Sequence, residues 1–399
     1  MKSPFKLIVS VAAAFAVAAC NTAGTSSLPG TAGPSAAQTR YKPQWEAHNL
    51  DRRVCNDDRP GYMNCDVLLP TTPRDGPNVL YGWTAPQLEK RYNLPSRTRG
   101  AGQVVGIVDA FDNPKVLSDI NVYRTRFGLG KAKIKKYNQM GEQRNYPEGS
   151  PEWGVEIDLD VEMVSASCPK CSIILVEANN QNEINLYAAE KTAVRLGAKI
   201  VSNSWGGGGG NPSRGAFNHP GILYLASAGD YGYKGQDPAD YTTVISVGGT
   251  VLSSSGKTET MWPASGGGCT VVMKPSWQKD PQCKTRTMND ISAIAVDTAE
   301  YDSYGAGGWV EPSGTSIASP LVAGMYALAE NSTTLHAAES LWKLSKADVS
   351  KDFHYIKLGV LDGCPAKLMK TYVCTAGTQQ FGAYAGGSGW GTPNGIAAL

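Results

Sequence analysis

Histidine is scarce in this 399-residue chain: His48, His219, His336 and His354 are all there is. Their surroundings, EAHNL, FNHPGI, TLHAAE and DFHYI, contain no segment built for a histidine-dependent catalytic centre. Charge of one sign is also lacking. The 37 basic residues nearly balance the 35 acidic ones, leaving +2, which gives no case for a nucleic-acid partner. The densest basic run, KAKIKK at 131–136, reads as a strand edge guarded by lysines, with contact to acidic lipid as the other reading. No internal repeat is visible. CPKC at 168–171 has no second C-x-x-C with which to complete a zinc site, so it reads as a small structural staple. No apolar run is long enough to span a bilayer comfortably. The best candidate, LIVSVAAAFAVAA at 7–19, is short and follows Lys2 and Lys6, the pattern of an export signal.

That signal ends at Cys20. The preceding Val17-Ala18-Ala19 resembles a bacterial lipobox, which implies a lipoprotein signal at residues 1–20, cleaved before Cys20, and lipidation of the Cys20 thiol. An ordinary secretory signal cut nearby is the alternative. Asn21, in place of aspartate, favours the outer membrane by resemblance to enterobacterial sorting rules. The expected location is therefore the bacterial cell envelope, with the membrane reached through the N-terminal lipid. Setting Cys20 aside leaves eight cysteines, an even number suited to an oxidising compartment. They fall as near neighbours, and sequential pairing is expected: Cys55 with Cys65, Cys168 with Cys171, Cys269 with Cys283, Cys364 with Cys374.

Residues 21–78 read as a flexible tether, rich in Thr, Ala, Gly, Ser and Pro up to about residue 44, followed by a small N-terminal extension. Residues 79–399 form the main domain. Within it QVVGIVDAF, SIILVEA, KIVSNSW and GILYLASAGD read as buried strands. VEIDLDVEMVSASC, NEINLYAAEKTAVRLGA and GTSIASPLVAGMYALAE read as helices. Such alternation predicts an α/β fold, a mostly parallel twisted sheet with helices on both faces.

The segment PSGTSIASP at 312–320 carries the first chemical signal. Small residues surround Ser316, and Pro320 stands in the first turn of the apolar helix that follows, where proline is tolerated. A serine there lies beside free backbone N–H groups that favour negative charge. G-T-S-x-x-x-P leading into such a helix resembles the subtilisin-like superfamily. With no histidine motif, the base must come from elsewhere, and EWGVEIDLDVEM supplies a candidate. Glu156 and Asp160 stand four apart, on one face of a helix. If buried, two neighbouring carboxylates cannot both ionise cheaply, so their proton affinities separate. Asp158 and Glu162 would ordinarily be a solvated acidic face.

The ordered set E-x-x-x-D, SNSWGG (202–207), ASAGDYG (226–232) and SGTS resembles the sedolisins, the serine-carboxyl peptidases. YNLPS, GIVDAFDNP, NHPGI, VISVGGT, KPSWQ and GWGTPNG extend the likeness. The resemblance implies a subtilisin-like fold and a serine endopeptidase that hydrolyses peptides or proteins at acidic pH. It implies Ser316 as nucleophile and Glu156 as base and later acid. Asp160 would orient Glu156, and Asp230 would line the oxyanion hole with the Ser316 N–H as second donor. It also implies a substrate strand along Ser204, Trp205 and Gly206. A carboxylate base makes sense in acid, where a histidine with pKa of about 6.5 is already protonated. Asp109 has no histidine to orient and reads as a supporting hydrogen-bonding group.

Two departures stand out. The calcium site usual in sedolisins lacks its ligand: DFHYI places Tyr355 where a carboxylate is expected, and AYAGGSGWGTPNG has none. No metal or other cofactor is therefore expected, Asp352 and Asp362 being the carboxylates from which a rearranged site would be built. Residues 21–78 are also too few for the long folded prodomain usual in the family. The expected protein is a monomeric, lipid-anchored peptidase, with a non-cleaving, peptide-binding envelope lipoprotein as the alternative.

Overall fold

The computed structural model describes residues 51–71, 80–207 and 214–399, all within one compact unit. The signal segment, Cys20 and the tether lie outside the described residues. At the centre is an eight-stranded sheet. Val104–Ala110 occupies its middle, pairing in parallel with Ser172–Ala178 on one side and Ile200–Asn203 on the other. The sheet continues in parallel to Ile134–Asn138 at one edge, and through Leu223–Ser227 to Val244–Leu252 at the other. Ile291–Ile294 adds in parallel to that last strand, and Glu259–Met261 adds antiparallel. The central strands are near-continuous apolar runs because helices cover both faces and neither face meets water. The α/β architecture expected from the alternating pattern is the one observed.

The helix Pro151–Ser167 starts where Ser150 accepts the Trp153 N–H at 3.3 Å and Pro151 fixes the first turn. Every residue from Trp153 to Ser167 is buried. The helix Thr315–Ala329 is likewise buried through Leu328 and packs directly against it. Gly324 permits the close approach, since a β-carbon there would lie 2.0 Å from the Ser167 hydroxyl. The expected solvated face of Asp158 and Glu162 is not found. The helix Val116–Arg126 and the strand Glu300–Asp302 cover that side. Asp158 instead accepts from the Asn113 amide at 2.7 Å, and Glu162 from the Tyr301 N–H at 3.0 Å.

The lysine-rich strand Ile134–Asn138 does form a sheet edge, but Lys136 turns inward to pair with Asp112 and, at 3.4 Å, with Glu177. Four disulfides join Cys55–Cys65, Cys168–Cys171, Cys269–Cys283 and Cys364–Cys374, the sequential pairing. The Cys168–Cys171 bridge closes the turn between the helix Pro151–Ser167 and the strand Ser172–Ala178.

Candidate active site

The parallel strands end together, and the chain segments leaving their C-terminal ends gather one set of polar groups, as open α/β sheets generally do. Asp109 is the last residue but one of the central strand, Ser204 follows Asn203, and Asp230 lies three residues beyond Ser227. The two packed helices complete the set. Ser316 sits in the first turn of Thr315–Ala329, and its Oγ donates to Glu156 Oε2 at 2.8 Å. Asp160, one turn on from Glu156, accepts from Ser204 Oγ at 2.5 Å. Ser316, Glu156 and Asp160 are fully buried, and Asp230 nearly so.

Burial dominates the electrostatics. It pushes the Glu156 carboxyl well above the ordinary glutamate range, and the charges of Asp160 and Asp109 push it further, while the Ser316 hydrogen bond opposes both. Asp160 is raised by burial and by Asp109. Asp109 is raised to about 8 by burial alone, and neither of its oxygens has a hydrogen-bond partner. The supporting hydrogen bonds expected of Asp109 are therefore absent. Glu156 Oε1 and Asp160 Oδ2 also lack partners. A cluster of like charges this close cannot ionise fully, so it retains protons that its members share.

Asp230 has two unlike oxygens. Oδ1 accepts from the Thr315 N–H at 2.8 Å and from Thr315 Oγ1 at 2.9 Å, while Oδ2 has no partner. Burial, then the Asp66 charge, raises this carboxyl well above the aspartate range. The proton it retains belongs on Oδ2, because Oδ1 is already committed as an acceptor. Oδ2 borders Gly314: a β-carbon at that residue would lie 2.9 Å from it. Gly314 has φ 142°, a backbone conformation that other residues rarely adopt, and it brings the chain into the turn before Ser316.

The N-terminal extension runs through this site. Asn64–Cys65 pairs antiparallel with Trp205–Gly206, and the Asp66 N–H donates to the Ser204 carbonyl at 3.1 Å. The Asp66 carbonyl accepts the Ser316 N–H at 3.2 Å and sits 2.1 Å from where a Gly314 β-carbon would be. Leu68 and Ser313 exchange backbone hydrogen bonds of 2.7 and 3.0 Å. Of the residues expected to meet substrate, Ser204 and Gly206 thus offer their backbone to the chain's own extension. Trp205 does not line the cleft with its ring. Its indole is buried in the core and donates to the Val108 carbonyl at 2.8 Å.

Sequence reasoning missed the side chains of Ser204 and Thr315, which hold Asp160 and Asp230, and missed Asp66, Ser227 and Gln236. Ser204 and Thr315 lay inside quoted motifs. Asp66 and Gln236 carried no local signal, since only the tertiary fold brings them to the cleft.

In the C-terminal region, no three His, Cys, Asp or Glu side chains converge on one point among the described residues. Asp119, Asp158 and Asp302 do come within 4.8 Å of one another. They are engaged with Ser303, Asn113 and the N–H groups of residues 304–306.

Residues 147–350 match the subtilase family model. Among curated proteins, sedolisin from Pseudomonas sp. (strain 101) is 23% identical over 358 residues, which cover 77% of this chain. The chain spans 58% of the length of that relative. Among solved structures, Pseudomonas sedolisin, a serine-carboxyl proteinase complexed with two molecules of pseudo-iodotyrostatin, superposes with a TM-score of 0.64 at 24% identity. The match covers 79% of this chain and 96% of that one. A psychrophilic protease aligns with a TM-score of 0.50 at 15% identity, covering 79% and 99% of the two chains. The family match takes in both packed helices and most of the strands that lead to the site, and the chain belongs to the subtilase family, with the fold of sedolisin.

Proposed function

We propose that the protein is a serine-carboxyl endopeptidase of the bacterial cell envelope, anchored through lipid on Cys20 and acting on peptides or proteins. The observation that carries this reading is the 2.8 Å hydrogen bond from Ser316 Oγ to Glu156 Oε2, made between two buried helices, with no hydrogen bond from a histidine to either side chain among the described residues. Ser316 Oγ attacks the substrate carbonyl carbon while its proton passes to Glu156. The resulting oxyanion takes hydrogen bonds from the Ser316 N–H and from the protonated Asp230 Oδ2. Glu156 then returns the proton to the leaving amine, and water hydrolyses the acyl-serine by the reverse sequence. Asp160, one turn along the same helix and held by Ser204, tunes the proton affinity of Glu156 through its charge.

Two protonation states must coexist: Glu156 ionised and Asp230 protonated. Activity is therefore lost in acid as Glu156 takes up a proton, and lost in alkali as Asp230 gives one up. Both groups are raised by burial, which moves the working window from strong acid toward mild acid. Digestion of a peptide library from about pH 3 to about pH 8, with Ser316→Ala as control, tests the reading. Cleavage that depends on Ser316 and peaks at mildly acid pH is expected. No Ser316-dependent cleavage at any pH would replace the peptidase with the non-cleaving, peptide-binding lipoprotein, a reading favoured by the extension that crosses the cleft.

A further inference from the structure

The segment that enters the cleft does so in the manner of a substrate. Its residues 64–66 lie along the edge formed by Ser204, Trp205 and Gly206, using the main-chain pairing by which extended peptides add to sheet edges. The Asp66 carbonyl occupies the position of a reacting carbonyl: it takes the Ser316 N–H and faces the side of Gly314 bordered by the unpartnered Asp230 Oδ2. The Asp66 side chain fills a closed polar pocket. Its Oδ2 accepts from Ser227 Oγ at 2.6 Å and from the Gln236 amide nitrogen. Gln236 is wedged between two glycines. A β-carbon at Gly206 would lie 2.2 Å from its amide and one at Gly229 would lie 2.6 Å from its Oε1. The pocket therefore presents donors, and the Arg53 and Lys234 charges favour an ionised occupant. Burial raises the Asp66 carboxyl to about 6 against those donors.

Both sides of the Asp66–Val67 bond are tied down. Cys65 is bridged to Cys55, and the Val67 carbonyl accepts the Val54 N–H at 3.2 Å. Leu68–Pro70 pairs antiparallel with Asp51–Arg53, and the Arg53 guanidinium donates to the Asp230 carbonyl. A leaving amine at Val67 would stay in place beside the acyl group, because the strand that holds it does not depend on the bond to Asp66.

We propose that residues 64–68 are a substrate-like inhibitory strand carried by the chain itself, and that the pocket of Ser227 and Gln236 selects substrates with aspartate on the acyl side of the cleaved bond. This rests on the peptidase reading of the same cleft. If Ser316 Oγ attacks the Asp66 carbonyl, the Asp66–Val67 C–N bond breaks and Glu156 delivers the serine proton to the Val67 nitrogen. The retained amine can then re-form the bond and expel Ser316, with no net change. An external substrate binds only when the strand leaves, so its apparent affinity falls by the fraction of molecules with an open cleft.

The test reads binding and turnover separately, on the full chain. A peptide aldehyde ending in the aspartic aldehyde is titrated calorimetrically against wild type, Asp66→Ala and Asp66→Asn, with the alanine aldehyde for comparison. Asp66→Ala loses both side-chain hydrogen bonds and is expected to bind the aspartic aldehyde about tenfold or more tightly than wild type does. Asp66→Asn keeps the shape and loses the charge, and should fall between them. Should Asp66→Ala not fold, the Asn variant carries the comparison. The aspartic aldehyde should outbind the alanine aldehyde about tenfold, and Gln236→Leu should abolish that difference. Equal affinity of the wild type and the Asp66 variants would overturn the inhibitory strand. Equal affinity for the two aldehydes would overturn the pocket. The expected binding pattern without any peptide hydrolysis would sink the peptidase reading and leave residues 64–68 and the pocket of Ser227 and Gln236 as a self-occupied peptide-binding groove.

Discussion

The buried carboxyls make stability a steep function of pH, and Asp109 allows the size to be worked. Its carboxyl moves from 3.8 to about 8 through burial, with no hydrogen bond to offset the loss of water. The folded state therefore keeps a proton that the unfolded chain releases above about pH 4. A raised acid stabilises the fold fully below its unfolded value, and that contribution disappears as pH climbs to the folded one. The slope is about 1.4 kcal/mol per pH unit for one proton, so Asp109 alone removes on the order of 4 kcal/mol by pH 7. Asp66, raised to about 6, and Glu177, raised to about 9, act in the same direction. Asp57, Glu142, Glu330 and Asp348 are lowered, but they face solvent and oppose the trend weakly. Against a total domain stability of about 5–15 kcal/mol this is a large effect. Urea unfolding of the Ser316→Ala protein, which cannot digest itself, should give a free energy that falls steadily from about pH 4 to about pH 8. Asp109→Asn should flatten the slope by about one proton's worth, 1.4 kcal/mol per pH unit. Stability that is level or rises over that range would refute the reasoning.

Glu156→Ala should lower turnover by several orders of magnitude, as Ser316→Ala does, and the double variant should be no worse than either, because the pair acts as a unit; near-full activity in Glu156→Ala, measured on the best library peptide, would exclude the carboxylate base. Asp230→Ala should cost about a hundredfold or more in kcat, the usual scale for one oxyanion donor. Asp230→Asn should retain part of the activity and lose the alkaline limb of the pH profile, since an amide donates at every pH; unchanged kcat in the Ala variant would make Asp230 a structural residue. Cys20→Ser should move the protein from the membrane to the soluble fraction with catalysis intact, and mass spectrometry of the wild-type N-terminus without a lipid would remove the anchor. Adding a chelator should shift the melting temperature little, whereas a large drop would reveal a cation bound where Tyr355 replaces the family's ligand.

Local order of residues was enough to place the elements. Continuous apolar runs such as QVVGIVDAF and SIILVEA read as strands buried on both faces, and their alternation with helices makes a parallel sheet the consistent arrangement. Ser316, Glu156, Asp160 and Asp230 could be singled out because each lies in a short local motif that carries the family resemblance, a helix turn or a strand followed by a glycine turn, and the fold brings Ser316 and Glu156 into hydrogen-bond contact. Cysteines close in sequence paired as neighbours for the same reason. Burial was not legible. Asp158 and Glu162 look like a water-facing stripe until the strand Glu300–Asp302, far along the chain, covers them. The proton affinities of Asp109, Glu156 and Asp230 follow from that burial, so they too were decided by the tertiary structure. So was the place of Asp66, which meets Ser316 and Gln236 across 250 and 170 positions of sequence through hydrogen bonds that no local pattern encodes.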